Sequence, residues 1–117
     1  MAGWKLTVRH GSDVSGQEFE SLDEAIGEMK RRALAIQGEG PLPAASVLRD
    51  YQARDQVHAR LQISGKGVLR KPTAGVDVRG NGSLVAYRGG VRREELEPGE
   101  RETPFDAVRK TLANEAG

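Results

Sequence analysis

Apolar and polar positions alternate with period two in several stretches of this chain and recur every three to four residues in two others. Trp4, Leu6 and Val8 alternate with Lys5, Thr7 and Arg9, which predicts a strand with its apolar side chains turned inward. His10-Gly11-Ser12-Asp13 follows as a turn, and Val14 to Phe19 fits a second strand that closes a hairpin. Val57, Ala59, Leu61 and Ile63 alternate with Gln56, His58, Arg60 and Gln62, so a further strand is predicted there. Upstream of it, Val47 and Tyr51 fit either a continuation of the same face, with a bulge near Ala53 to Asp55, or a helical turn.

The sharpest pattern runs from Ala74 to Arg88, where two alternating segments flank Gly80-Asn81-Gly82-Ser83. Asn-Gly between such segments predicts a two-residue type I′ turn, which needs positive φ at both central residues. That turn sets Val78 opposite Val85 and Val76 opposite Tyr87. Val76, Val78, Val85 and Tyr87 are then expected on one face, and Asp77, Arg79, Leu84, Ala86 and Arg88 on the other.

Period 3.6 governs the stretch after Ser21. Leu22, Ile26, Met29, Ala33 and Ile36 form one apolar stripe, and Ser21-Leu22-Asp23-Glu24 has the form of a capping box. Gly38 marks the helix stop, and Gly40 to Pro43 is a connector. Gly27, inside this helix, marks either a close strand approach or a tolerated surface position. A last helix is predicted from Thr103 as N-cap and Pro104 at the first helical position, with Phe105, Val108 and Leu112 as its apolar stripe. Between hairpin and helix, Gly89-Gly90 reads as a bulge or bend with room for Val91-Arg92-Arg93 to extend the strand, residues 94–102 as an acidic loop, and 115–117 as a fraying tail. The loop from Gly65 to Pro72 is basic, with room for a short strand at Val68-Leu69.

The expected fold is a single α+β domain over 1–117. It is a two-layer sandwich in which an antiparallel sheet of about 4–6 strands carries two helices on one face. Its core is expected to include Trp4, Leu6, Val8, Val57, Leu61, Val76, Val78, Val85 and Tyr87.

Composition sharpens this in two ways. The chain has no cysteine, which removes disulfides, thiolate metal sites and cysteine nucleophiles together. Without a long apolar run or a signal-like start, the expected location is the cytoplasm, with no membrane partner. The net charge of +1 hides a segregation. From Gln56 to Arg93 the chain carries eight basic residues against Asp77 alone, which makes this segment a candidate anion-binding surface.

Catalytic constellations are not evident. His10 and His58 stand far apart in the sequence and lack metal-ligand spacing, and His58 falls on the polar side of its strand, where a solvated histidine is expected. No glycine-rich nucleotide loop or serine elbow is present. The expectation is therefore a non-catalytic interaction or assembly module that needs neither cofactor nor metal. It would act through the exposed face or edge of its sheet, with a second copy or another protein as partner. The alternative is a nucleic-acid binder of weak sequence specificity that uses the segment Lys66 to Arg93. The candidate surface comprises Arg60, Lys66, Arg70, Lys71, Arg79, Leu84, Ala86, Arg88 and Arg92, with Leu84 and Ala86 as its apolar centre.

Overall fold

A computed structural model describes residues 3–39, 57–65, 72–90 and 92–116. Its elements are β1 (Trp4–His10), β2 (Asp13–Phe19), α1 (Leu22–Gln37), β3 (Val57–Gly65), β4 (Thr73–Arg79), β5 (Leu84–Arg88), β6 (Glu94–Glu95) and α2 (Pro104–Ala116). All neighbouring strands pair antiparallel in the order β2-β1-β3-β4-β5-β6, and the two helices pack on one face. This is the α+β sandwich expected from the sequence. Residues 40–56, the basic loop with Lys66, Arg70 and Lys71, the Val68-Leu69 segment and Val91 lie outside the described residues. No described helix is long and apolar enough to cross a membrane.

Local chemistry starts both helices. The Ser21 hydroxyl accepts the Glu24 amide at 3.1 Å and donates to the Glu24 carboxylate at 3.0 Å. Glu24 thus closes the cap through the serine side chain and not through its amide. At α2 the reciprocal pair is complete: the Asp106 amide donates to Thr103 Oγ1 and the Thr103 amide to Asp106 Oδ2. The bond from the Thr103 amide holds the Asp106 carboxyl below its ordinary pKa. Gly27 faces open space, which makes it the tolerated surface position.

The core lies between the sheet and the helices. Leu6 and Val8 from β1, Ala59, Leu61 and Ile63 from β3, and Ala74, Val76 and Val78 from β4 meet Ala25, Ile26, Met29, Ala33 and Ile36 of α1. Phe105, Val108 and Leu112 of α2 complete it. Trp4 packs against the margin of this cluster.

The central hairpin departs from expectation by one residue. Val78 pairs with Leu84 and Val76 with Ala86, so the loop is Gly80-Asn81-Gly82, three residues long. The Gly82 amide donates to the Arg79 carbonyl at 2.9 Å and the Arg79 amide to the Ser83 carbonyl at 2.8 Å. Only Gly82 takes a positive φ, 87°. Asn81 Oδ1 instead accepts the Ser83 amide and hydroxyl. This is a turn followed by a left-handed residue, the usual three-residue hairpin loop. Since side chains alternate, the slip exchanges the faces of β5. Leu84 and Ala86 turn into the core, and Val85 and Tyr87 join Asp77 and Arg79 on the side the helices leave uncovered.

Two smaller differences have equally local causes. Val57 is exposed because the β3–β4 register shifts between Val57 and Ala59, a bulge that breaks the alternation. The chain bends at Gly89 and returns as β6, with Glu94 opposite Arg88 and Glu95 opposite Tyr87, so the acidic stretch begins as a short strand.

Candidate anion-binding face

The uncovered face of the sheet is built in rows by strand register. One row runs Val14, Arg9, Arg60, Asp77, Val85 across β2, β1, β3, β4 and β5. The next runs Gly16, Thr7, Gln62, Gly75, Tyr87, Glu95, and a third begins Glu18, Lys5, Ser64, Thr73. The face is polar and rich in arginine, with a tyrosine set into it.

Asp77 anchors the first row. It is 3% exposed and receives two hydrogen bonds from Arg60, Nε to Oδ1 at 2.7 Å and the terminal nitrogen to Oδ2 at 3.0 Å. Arg79 approaches the same carboxylate to 3.9 Å. The bond to Asp77 raises the Arg60 pKa above its ordinary value. Tyr87 lies between Arg60 and Arg93, whose guanidinium carbons stand 5.5 and 5.7 Å from its ring centre. Its hydroxyl donates to Gln62 Oε1 at 2.9 Å. Burial, with the Asp77 charge, pushes the phenol up to about 12.

Arg9 is the exposed neighbour of Arg60 in register, and like charges directly opposed across a sheet repel. Asp77 answers Arg60 from the far side. On the near side, Thr7, Arg9, Arg60, Gln62 and Arg93 surround a hollow of about 140 Å³. Three guanidinium groups with a hydroxyl and an amide offer charge-assisted donors to an anionic oxygen placed there.

Only part of the surface expected from the sequence is assembled here. Arg60 and Arg79 meet at Asp77. Leu84 and Ala86 are turned under the helices. Arg88 extends to the opposite side from Arg79, 3.4 Å from Glu94, and Arg92 is exposed in the bend before β6. Arg93 closes the expected basic segment, whereas Arg9 lies outside the residues expected from the sequence. The outward parity of Arg9 was readable, but its pairing with Arg60, about fifty residues on, was not.

The structure also assembles a cluster that contradicts the expectation of a solvated His58. His10 ends β1 on the helix-facing side, and the bulge before Ala59 swings His58 toward it. Their Nε2 atoms are 3.0 Å apart, with ring centres at 5.0 Å. Glu39, just past the end of α1, brings Oε1 to 3.3 Å from His10 Nε2 and 3.9 Å from His58 Nε2. The His58 side chain is only 14% exposed. A histidine at an inward position of β1 was the one available signal.

Comparison of the chain with protein-family models, with curated proteins and with solved structures gives no significant match.

Proposed function

We propose that this protein is a non-catalytic binding module that holds a nucleic-acid backbone against the uncovered face of its sheet. The observation that carries this reading is the direct opposition of Arg9 and Arg60 in register, with Arg93 completing the rim of one hollow. A phosphate seated between the guanidiniums relieves their repulsion and accepts their N–H groups. The inward turn of Leu84 and Ala86 favours this partner over a protein, because the residues that replace them on this face, a half-buried Val85 and a buried Tyr87, leave less accessible apolar surface than a protein interface would need. The contacts address phosphate and not base edges, so weak sequence preference is expected.

Fluorescence anisotropy with labelled single-stranded and duplex oligonucleotides tests the reading. Binding is expected to fall steeply with salt and to weaken strongly, without vanishing at low salt, in the Arg9→Glu, Arg93→Glu double variant while the circular dichroism spectrum is kept. A wild-type protein that binds neither oligonucleotide at low salt overturns it.

A second reading, self-assembly, is favoured by a different feature. Six of the seven residues of the edge strand β2 are exposed, Val14 among them at 57%. Such an edge offers backbone groups to a second copy. Light scattering should then report a dimer that Val14→Lys converts to monomer.

A further inference from the structure

We propose that His10, Glu39 and His58 form a binding site for a late first-row divalent metal ion, with Zn²⁺ as its natural probe. The three ligand atoms lie within 4.8 Å of one another, at separations of 3.0, 3.3 and 3.9 Å. In a tetrahedral site with bonds of ~2.0–2.1 Å to nitrogen and oxygen, ligand atoms stand about 3.3–3.4 Å apart. The observed triangle scatters around that value, so a cation can enter with small side-chain adjustments.

The chemistry of the three atoms points the same way. In the tautomers protonated at Nδ1, both Nε2 atoms and the carboxylate oxygen bring lone pairs to one point, an arrangement that repels until a proton or cation is shared among them. A cation satisfies all three at once. The site also adjoins the C-terminal end of α1, where the helix dipole favours positive charge.

The donor set selects the metal. Two imidazoles and one carboxylate suit Zn²⁺ and its neighbours, whereas Mg²⁺ and Ca²⁺ prefer all-oxygen shells. Three protein ligands leave a coordination position for water or a small ligand. A cleft of about 230 Å³ between the β1–β2 hairpin and α1 includes His10 in its lining, with Asp13, Ser15, Arg31 and Arg32. This cluster is on the helix side of the sheet and does not depend on the arginines of the other face.

The test uses the full-length chain without an affinity tag, titrated with Zn²⁺ by calorimetry and with Co²⁺ by visible absorption. One equivalent of Zn²⁺ is expected to bind, Co²⁺ should give the intense bands of a tetrahedral site, and Mg²⁺ and Ca²⁺ should not compete. His10→Ala, His58→Ala and Glu39→Gln should each weaken Zn²⁺ binding about 100-fold or more, since even outer-shell changes cost roughly 10–100-fold. Glu39 is 53% exposed and its exchange for glutamine keeps the shape, so this variant tests the ligand without threatening the fold. Failure of the wild-type chain to take up Zn²⁺, or uptake unchanged in these variants, overturns the proposal.

Discussion

Tyr87 and Gly75 are paired directly across β4 and β5, and the tyrosine side chain occupies the space a Gly75 side chain would need. A Cβ on Gly75 would lie 2.8 Å from the Tyr87 hydroxyl and would also collide with the Leu61 carbonyl of β3. The glycine lets a large aromatic lie flat on a face that no helix covers.

Gly75→Ala is therefore expected to destabilise the fold by about 3 kcal/mol, at the upper end of overpacking costs. Chemical denaturation measures it. Because the Leu61 carbonyl is backbone, adding Tyr87→Ala to this variant should not restore stability.

The three-residue hairpin loop predicts an asymmetry between Asn81 and Gly82. Gly82 alone is left-handed, with open space around it, so Gly82→Ala should cost about 1 kcal/mol through backbone strain. Asn81→Ala removes only the side-chain acceptor for Ser83 and should cost less. Equal, larger losses at both positions would instead indicate a type I′ turn. Urea midpoints of the two variants decide between these outcomes.

Tyr87 gives the fold a sensitivity to alkaline pH. Its pKa is raised from 10.0 to about 12, chiefly by burial. A group raised in this way contributes fully below pH 10 and loses its contribution as pH climbs toward 12. Roughly 2–3 kcal/mol should disappear across that window. The loss should be largely absent in Tyr87→Phe when the two proteins are denatured in parallel. Tyrosinate absorbance in a Tyr51→Phe background should report the late ionisation directly.

Asp77 restrains the arginines around it. Asp77→Asn leaves Arg60 and Arg79 without their shared carboxylate and should cost about 3 kcal/mol, as the breaking of a buried pair does. The same change releases Arg60 toward the hollow. Oligonucleotide affinity at low salt should rise under the proposed function even as thermal stability falls.

Salt dependence reports how many arginines engage phosphate. Contacts from Arg9, Arg60 and Arg93 to duplex DNA would give a log–log slope near about −2.7, and the Arg9→Glu, Arg93→Glu variant should flatten it toward about −0.9. Surface changes of this kind usually alter stability by no more than about 0.5 kcal/mol each, so the denaturation midpoint should hold.

What the sequence made legible was decided over short distances. The stripes of α1 and α2, the Ser21 and Thr103 caps and the alternation in β1, β3 and β4 each rest on residues within a few positions of one another. The hairpin at Gly82 was equally visible, yet the size of its loop was not. One extra loop residue exchanged Tyr87 with Ala86, because alternation carries a single-residue slip through a whole strand. The candidate sites depend on long-range register. Arg9 meets Arg60 only because β1 inserts between β2 and β3, and His58 meets His10 only because a bulge rotates it. Neither the order of strands nor the position of a bulge is encoded in local periodicity.

The two margins of the sheet are unlike. β2 offers seven residues of backbone, whereas β6 is a two-residue stub bearing Glu94 and Glu95. Among the described residues, β2 is therefore the longer margin open to a strand from another molecule. Two copies joined along β2 would consume both long margins and leave a short acidic stub at each outer end. In such a pair growth by strand addition would stop at two copies, because the short acidic stubs would not supply the repeating contact a fibre requires.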